Sequence, residues 1–205
     1  TGDDLVVNGG FFVASTGVLA GTGNVVVNDV AGTPTYQYGY FELRNNGRVQ
    51  TTLTVDGEML INNTANLDNN VATVNGTLIW QANNLVLENG ADLVNNGLIQ
   101  VRSGAGVTLQ QGGTGTKTFV QSSTGVFEIV NAINLTFSIA SVTLDGVLAG
   151  NGQFLNLNTI TSNTAQLRPG DYDTDFFTQT IGILNTDDDL IDGHTPEIWI
   201  EILDG

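Results

Sequence analysis

The sequence predicts an all-β chain wound as a single-stranded parallel β-helix, a solenoid of about nine or ten coils. Three observations predict it. The 205 residues include 26 Gly and 23 Asn but only 5 Lys and Arg together, a composition suited to many short strands joined by tight corners, because Gly and Asn tolerate positive φ. No long window carries apolar residues at the 3.6-residue spacing of a helix. The phrase GVLAGTGNVVVN at 17–28 returns as GVLAGNGQFLNLN at 146–158, as expected where stacked coils place like residues at like positions.

Taken in order along the chain, a glycine leads an apolar strand-like segment at Gly17, Gly47, Gly76, Gly97, Gly125 and Gly146. The intervals are 30, 29, 21, 28 and 21 residues, which reads as a unit of about 21 residues with loops inserted on some coils. Within the units, Leu85-Val86-Leu87, Leu98 to Val101 and Val107-Thr108-Leu109 are short strands. Glu88-Asn89-Gly90, Asn95-Asn96-Gly97 and Gly104-Ala105-Gly106 are the corners between them. At the ~4.8 Å spacing of adjacent strands, nine or ten coils make a body about 45 Å long. A β-sandwich would also show many short strands, but it has no reason to repeat GVLAGxG. The expected organisation is coils over 1–170 and acidic C-terminal coils, or a cap of the same solenoid, over 171–205.

Charge and composition remove several function classes. With 21 Asp and Glu against 5 Lys and Arg, the net charge is −16, so phosphate backbones and anionic membranes repel the chain, and nucleic acid is not an expected partner. The absence of cysteine excludes disulfides, thiolate metal sites and thiol nucleophiles. No stretch is long and apolar enough for a transmembrane segment. The chain opens Thr1-Gly2-Asp3-Asp4 without methionine and is expected to be a processed or excised piece.

The segment GADLVNNGLIQVRSGAGVTLQ (90–110) resembles the coils of bacterial autotransporter passengers and filamentous-haemagglutinin-like adhesins. The stretch from Gly146 to Gly205 is similar to the end of their repeats: a coil over Gly146 to Gly152, the Pro169-Gly170 turn, a strand at Thr178 to Leu184, and Ile198 to Ile202 in place of the pattern l-x-i-E-i. The resemblance implies a right-handed β-helix, extracellular or on the bacterial cell surface, with adhesive or structural duty as part of a surface protein or filament.

Catalysis is not expected. β-Helical lyases need a strong base or a calcium-assisted cation, and hydrolases need converging carboxylates. The cations Arg44, Arg48, Arg102, Lys117 and Arg168 are scattered, and Asp68, Glu88, Asp92, Glu128 and Asp145 are the acidic candidates. The single His194 has no triad partner in sequence. Residues 171–205 hold ten Asp or Glu and no Lys or Arg. Two clusters, Asp171, Asp173 and Asp175, then Asp187, Asp188, Asp189 and Asp192, are candidate Ca²⁺ ligands because hard oxygens at alternate positions suit that ion; solvated acidic loops would carry the same sequence. Tyr36, Tyr38 and Tyr40 alternate onto one strand face, where they would stack on host or cell-surface glycans or pack against the solenoid wall. Open strand edges at the ends of a β-helix invite other copies to add end to end.

Overall fold

The structure, a computed structural model, describes residues 4–13, 16–29, 40–155, 160–161 and 166–169. These residues form 23 strands in three parallel sheets. Sheet A contains β1 (Leu5–Val7), β4 (Val25–Val27), β7 (Leu53–Val55), β10 (Val71–Val74), β13 (Asp92–Asn95), β16 (Thr118–Gln121), β19 (Ser141–Leu144) and β22 (Ile160–Thr161). Sheet B contains β2 (Gly10–Val13), β5 (Tyr40–Arg44), β8 (Glu58–Asn62), β11 (Thr77–Ala82), β14 (Leu98–Val101), β17 (Val126–Ile129), β20 (Val147–Gly150) and β23 (Gln166–Pro169). Sheet C contains β3 (Val18–Leu19), β6 (Gly47–Val49), β9 (Ala65–Asp68), β12 (Asn84–Glu88), β15 (Val107–Gly112), β18 (Asn134–Ser138) and β21 (Gln153–Leu155).

Every third strand pairs, so the chain visits A, B and C in turn and then stacks the next coil on the last. This is the predicted parallel β-solenoid. The described residues make seven complete coils and two strands of an eighth, fewer than the nine or ten expected of the whole chain. Coil length varies: one coil advances 19 residues from Asp56 to Asn75, the next 21, another 26 from Asn95 to Gln121, and the one from Val25 to Leu53 takes 28. Seven coils carry the chain from Leu5 to Ile160, close to the unit of about 21 residues read from the sequence, and the described residues stop at Pro169.

Alternation along each short strand sends every second side chain inward, and the parallel register stacks like on like. Sheet B lines up Phe41, Met59, Leu78, Ile99, Phe127 and Leu148, all at most 2% exposed. Sheet A lines up Val25, Leu53, Ala72, Leu93, Phe119 and Val142. In the sixth coil each sheet contributes a phenylalanine. Phe119 meets Phe127 edge-on at 5.7 Å, and Phe137 packs against both at 5.9 and 6.2 Å, so one aromatic layer fills the bore there.

The corners explain the polar composition. Between sheets B and C, Asn45, Asn46, Asn63 and Asn83 adopt φ of 47°, 69°, 119° and 56°. The Asn63 amide donates to Asn45 Oδ1 at 2.8 Å, and that of Asn83 to Asn63 Oδ1. Between sheets A and B, the Asn75 amide donates to Asp56 Oδ1 at 2.8 Å and that of Asn96 to Asn75 Oδ1 at 3.0 Å. The glycines that follow this ladder serve closeness of approach. A Cβ on Gly76 would lie 2.2 Å from Gly57 O, one on Gly97 2.2 Å from Gly76 O, and one on Gly146 2.3 Å from Gly125 O.

The six Gly-led strands do not share one corner. Gly76, Gly97, Gly125 and Gly146 stand at the start of sheet B strands, whereas Gly17 and Gly47 lead sheet C strands. The step from Gly47 to Gly76 is therefore not a coil, and the two GVLAG phrases occupy different sheets. A glycine followed by a short apolar strand satisfies either corner, so local sequence alone does not set the phase.

Candidate functional site

The outer faces are built from the side chains that alternate away from the core. Sheet C concentrates the most chemistry. Arg48 of β6, Asp68 of β9 and Glu88 of β12 lie on three successive coils, with Asp68 and Glu88 directly paired in register. One guanidinium nitrogen of Arg48, Nη1, donates to Asp68 Oδ2 at 2.7 Å and to Glu88 Oε2 at 2.5 Å. Gln50 Nε2 donates to Asp68 Oδ2 at 2.6 Å and Asn89 Nδ2 to Asp68 Oδ1 at 2.7 Å. Beside them a shallow depression of about 490 Å³ is lined by Ala20, Gly21, Gln50, Asp68, Asn69 and Asn89.

Asp68 is 4% exposed. Burial by itself pushes its carboxyl up, but the donors Gln50, Asn89 and Arg48 together outweigh that and hold it below the ordinary carboxylate value. Glu88 and Asp68 in turn raise the Arg48 guanidinium above its usual value. A general acid needs the opposite, a carboxyl raised toward neutrality. The arrangement binds two carboxylates to one cation and leaves Asp68 ionised.

On sheet B, β5 presents Tyr40, Glu42 and Arg44 outward. Arg44 Nε and Nη2 fork onto the two Glu42 oxygens at 2.5 Å each, Asn62 adds a bond at 3.3 Å, and Tyr40 OH donates to Glu42 Oε2 at 3.2 Å. The Arg44 fork foremost holds the Glu42 carboxyl below its ordinary value. Burial and the neighbouring Glu42 push the Tyr40 phenol up to about 12. Tyr40 is thus half-buried and hydrogen-bonded to Glu42 of its own strand; Tyr36 and Tyr38 lie outside the described residues.

The remaining acidic candidates do not converge. Asp92 is on the outer face of sheet A, where Thr118 Oγ1 donates to it at 2.6 Å. Glu128 is buried on sheet B and accepts from Gln100 at 2.5 Å. Asp145 sits at the A–B corner ahead of β20. Among the cations, Arg102 pairs with Gln100. Lys117, 3% exposed, gives its ammonium to the carbonyls of Gly113, Thr114 and Gly115 at 3.3, 2.8 and 2.6 Å, closing the loop it follows. Arg168 lies in β23. Asp171, Asp173, Asp175, Asp187, Asp188, Asp189, Asp192 and His194 lie outside the described residues. Among the described residues no group of three or more His, Cys, Asp or Glu is placed to hold a metal.

Sequence reasoning missed two buried amides. Asn95 and Gln121, both 0% exposed, stand in register with Val74 and Leu144, inside the core of sheet A. Asn95 Nδ2 donates to Val126 O at 2.9 Å and Gln121 Nε2 to Val147 O at 3.0 Å, so each amide holds a carbonyl of the sheet B strand one coil on. The signal was the longer corner Ser122-Ser123-Thr124-Gly125, which leaves room for polar ends.

Comparison with known protein families, with curated proteins and with solved structures gives no match. The β-solenoid architecture rests on the strand register, and the adhesin resemblance on sequence pattern.

Proposed function

We propose that this chain is a non-enzymatic structural or adhesive segment of an extracellular bacterial surface protein or filament, of the autotransporter or filamentous-haemagglutinin type. The observation that carries the reading is the treatment of its charged groups: Arg48, Asp68 and Glu88 bridge three coils, and Glu42 is locked by Arg44, so the buried acids brace the stack instead of forming an acid–base pair. The low carboxyl of Asp68 supports the same reading. Purified chain incubated with soluble acidic and neutral polysaccharides should release no reducing ends or unsaturated products. Cleavage abolished by Asp68→Asn or Glu88→Gln would overturn the proposal and put a polysaccharide-cleaving enzyme in its place.

End-to-end assembly is the second reading. It is favoured by the first coil, whose inward-row Leu5 is 37% exposed beside strand edges that are paired on one side only among the described residues. Electron microscopy of the chain with and without millimolar calcium tests it: filaments support self-assembly, and a calcium-dependent rise in melting temperature supports an ion site in the acidic C-terminal sequence.

A further inference from the structure

The outer face of sheet A carries one row unlike any other among the described residues. Val26, Thr54, Thr73, Val94, Val120 and Thr143 are consecutive partners in the parallel register. Val6 extends the row at one end, and the backbone register reaches Thr161 at the other. Every position is β-branched, every described side chain is partly or fully exposed, and none is charged in a chain of net charge −16. Strand propensity favours Val and Thr, but it acts on all three sheets alike. The matching row of sheet B reads Glu42, Leu60, Ile79, Gln100, Glu128 and Ala149, and that of sheet C runs Arg48, Asn66, Val86 and Gln110. Among the described residues the uniform row belongs to sheet A alone.

Its dimensions and chemistry narrow what it takes. Eight strands at about 4.8 Å by three or four residues at about 3.3 Å give a face of roughly 400 Å², about half of the ~800 Å² per partner that a stable protein interface buries. A second copy is therefore a poor occupant. Glycan recognition draws on aromatic platforms, and this row has none. Four acidic residues flank it two positions along its strands, Asp4, Asp56, Asp92 and Asp145, of which Asp4 accepts from Asn24 N, Asp56 from Asn75 and Asp92 from Thr118. Within this frame the row itself is a line of methyls and hydroxyls, stiff at χ1, repeating at the strand spacing on a backbone that loses no freedom on docking. That suits a neutral, periodic partner with a matching repeat, and the oxygen rows of an ice surface have a repeat close to it.

We propose that the Val/Thr row on the outer face of sheet A is an ice-binding face, the methyls ordering water between strands and the threonine hydroxyls anchoring it to the lattice. The test is partition of the full chain into slowly grown ice, with thermal hysteresis measured alongside. Wild type is expected to concentrate in the ice. Thr73→Tyr, at the centre of the row, should reduce uptake about tenfold or more, while Gln110→Tyr on sheet C leaves it unchanged. Val120→Lys, which adds a charge on a flexible stem, serves as the second row variant, and melting temperatures confirm that each variant is folded. Exclusion of wild type from ice overturns the proposal, as does equal loss in Gln110→Tyr and the row variants. A sedimenting dimer, or capture on cellulose or chitin, abolished by Thr73→Tyr without any ice uptake by wild type, would assign the face to those partners instead.

Discussion

Replacing Gly97 by alanine tests how closely the coils approach at the A–B corner. The added Cβ would lie 2.2 Å from Gly76 O, 2.3 Å from Asn75 O and 2.6 Å from Asn75 C, all backbone atoms of the preceding coil and all nearer than the 3.0 Å that real Cβ atoms keep. No side chain can rotate to relieve the contact, so the coils must part by the better part of an ångström. Three hydrogen bonds cross that corner: Asn96 N and Gly97 N donate to Val74 O at 2.8 and 3.0 Å, and Leu98 N to Gly76 O at 2.9 Å. At about 0.5–1.5 kcal/mol each, their loss costs about 2–4 kcal/mol, a large share of a typical folding free energy. For a chain of this size that lowers Tm by roughly 5–15 °C. Gly104→Ala is the control, because nothing lies within 4 Å of its Cβ position, and it should be neutral or slightly stabilising. Thermal and urea melts of both variants decide the matter. Equal Tm values for Gly97→Ala and Gly104→Ala would refute steric closeness as the reason for glycine here.

Phe127→Ala empties part of the aromatic layer, where Phe119 stands at 5.7 Å and Phe154 of the next coil at 5.8 Å; a loss of about 3–5 kcal/mol is expected from denaturant melts. Asp68→Asn should cost about 1–3 kcal/mol at neutral pH. Because its folded pKa is depressed, that contribution is fully present above the unfolded carboxyl value of about 3.9 and disappears as pH falls through the lower folded value, so the wild-type and variant stability curves should converge in acid. Tyr40 has the reverse sign: its phenol is raised to about 12 from 10.0, so its contribution is intact below pH 10 and is lost as pH rises toward 12. A late-ionising phenolate absorbance step, coupled to alkaline unfolding and missing in Tyr40→Phe, is the expected result.

Much of the fold was legible in the sequence because a solenoid is a local code repeated. Gly and Asn at corners, two-residue alternation in strands and the absence of helical periodicity each depend on neighbours along the chain, and they were enough for an all-β stacked coil. The corner asparagines Asn45, Asn63 and Asn83 have the positive φ that their composition suggested. Coil phase was not legible. Gly47 and Gly97 look alike in sequence but stand at different corners, because insertions of unequal length shift each coil against the next.

The candidate site was less legible for the same reason. Asp68 and Glu88 were visible as isolated acids, yet their shared partner Arg48 comes from two coils before Glu88, and nothing local pairs them. Asn95 read as part of a corner and Gln121 carried no reading, until the register placed both inside at the ends of their sheet A strands. The Val/Thr row was hidden altogether, since its members are separated by 19 to 28 residues and meet only through parallel pairing. The sequence by itself determined the strand and corner grammar, the acidity and the exclusion of cysteine chemistry, all of which are properties of composition and near neighbours. Tertiary structure decided which side chains share a face, because in a stacked coil that depends on register, and register is summed over every loop in between.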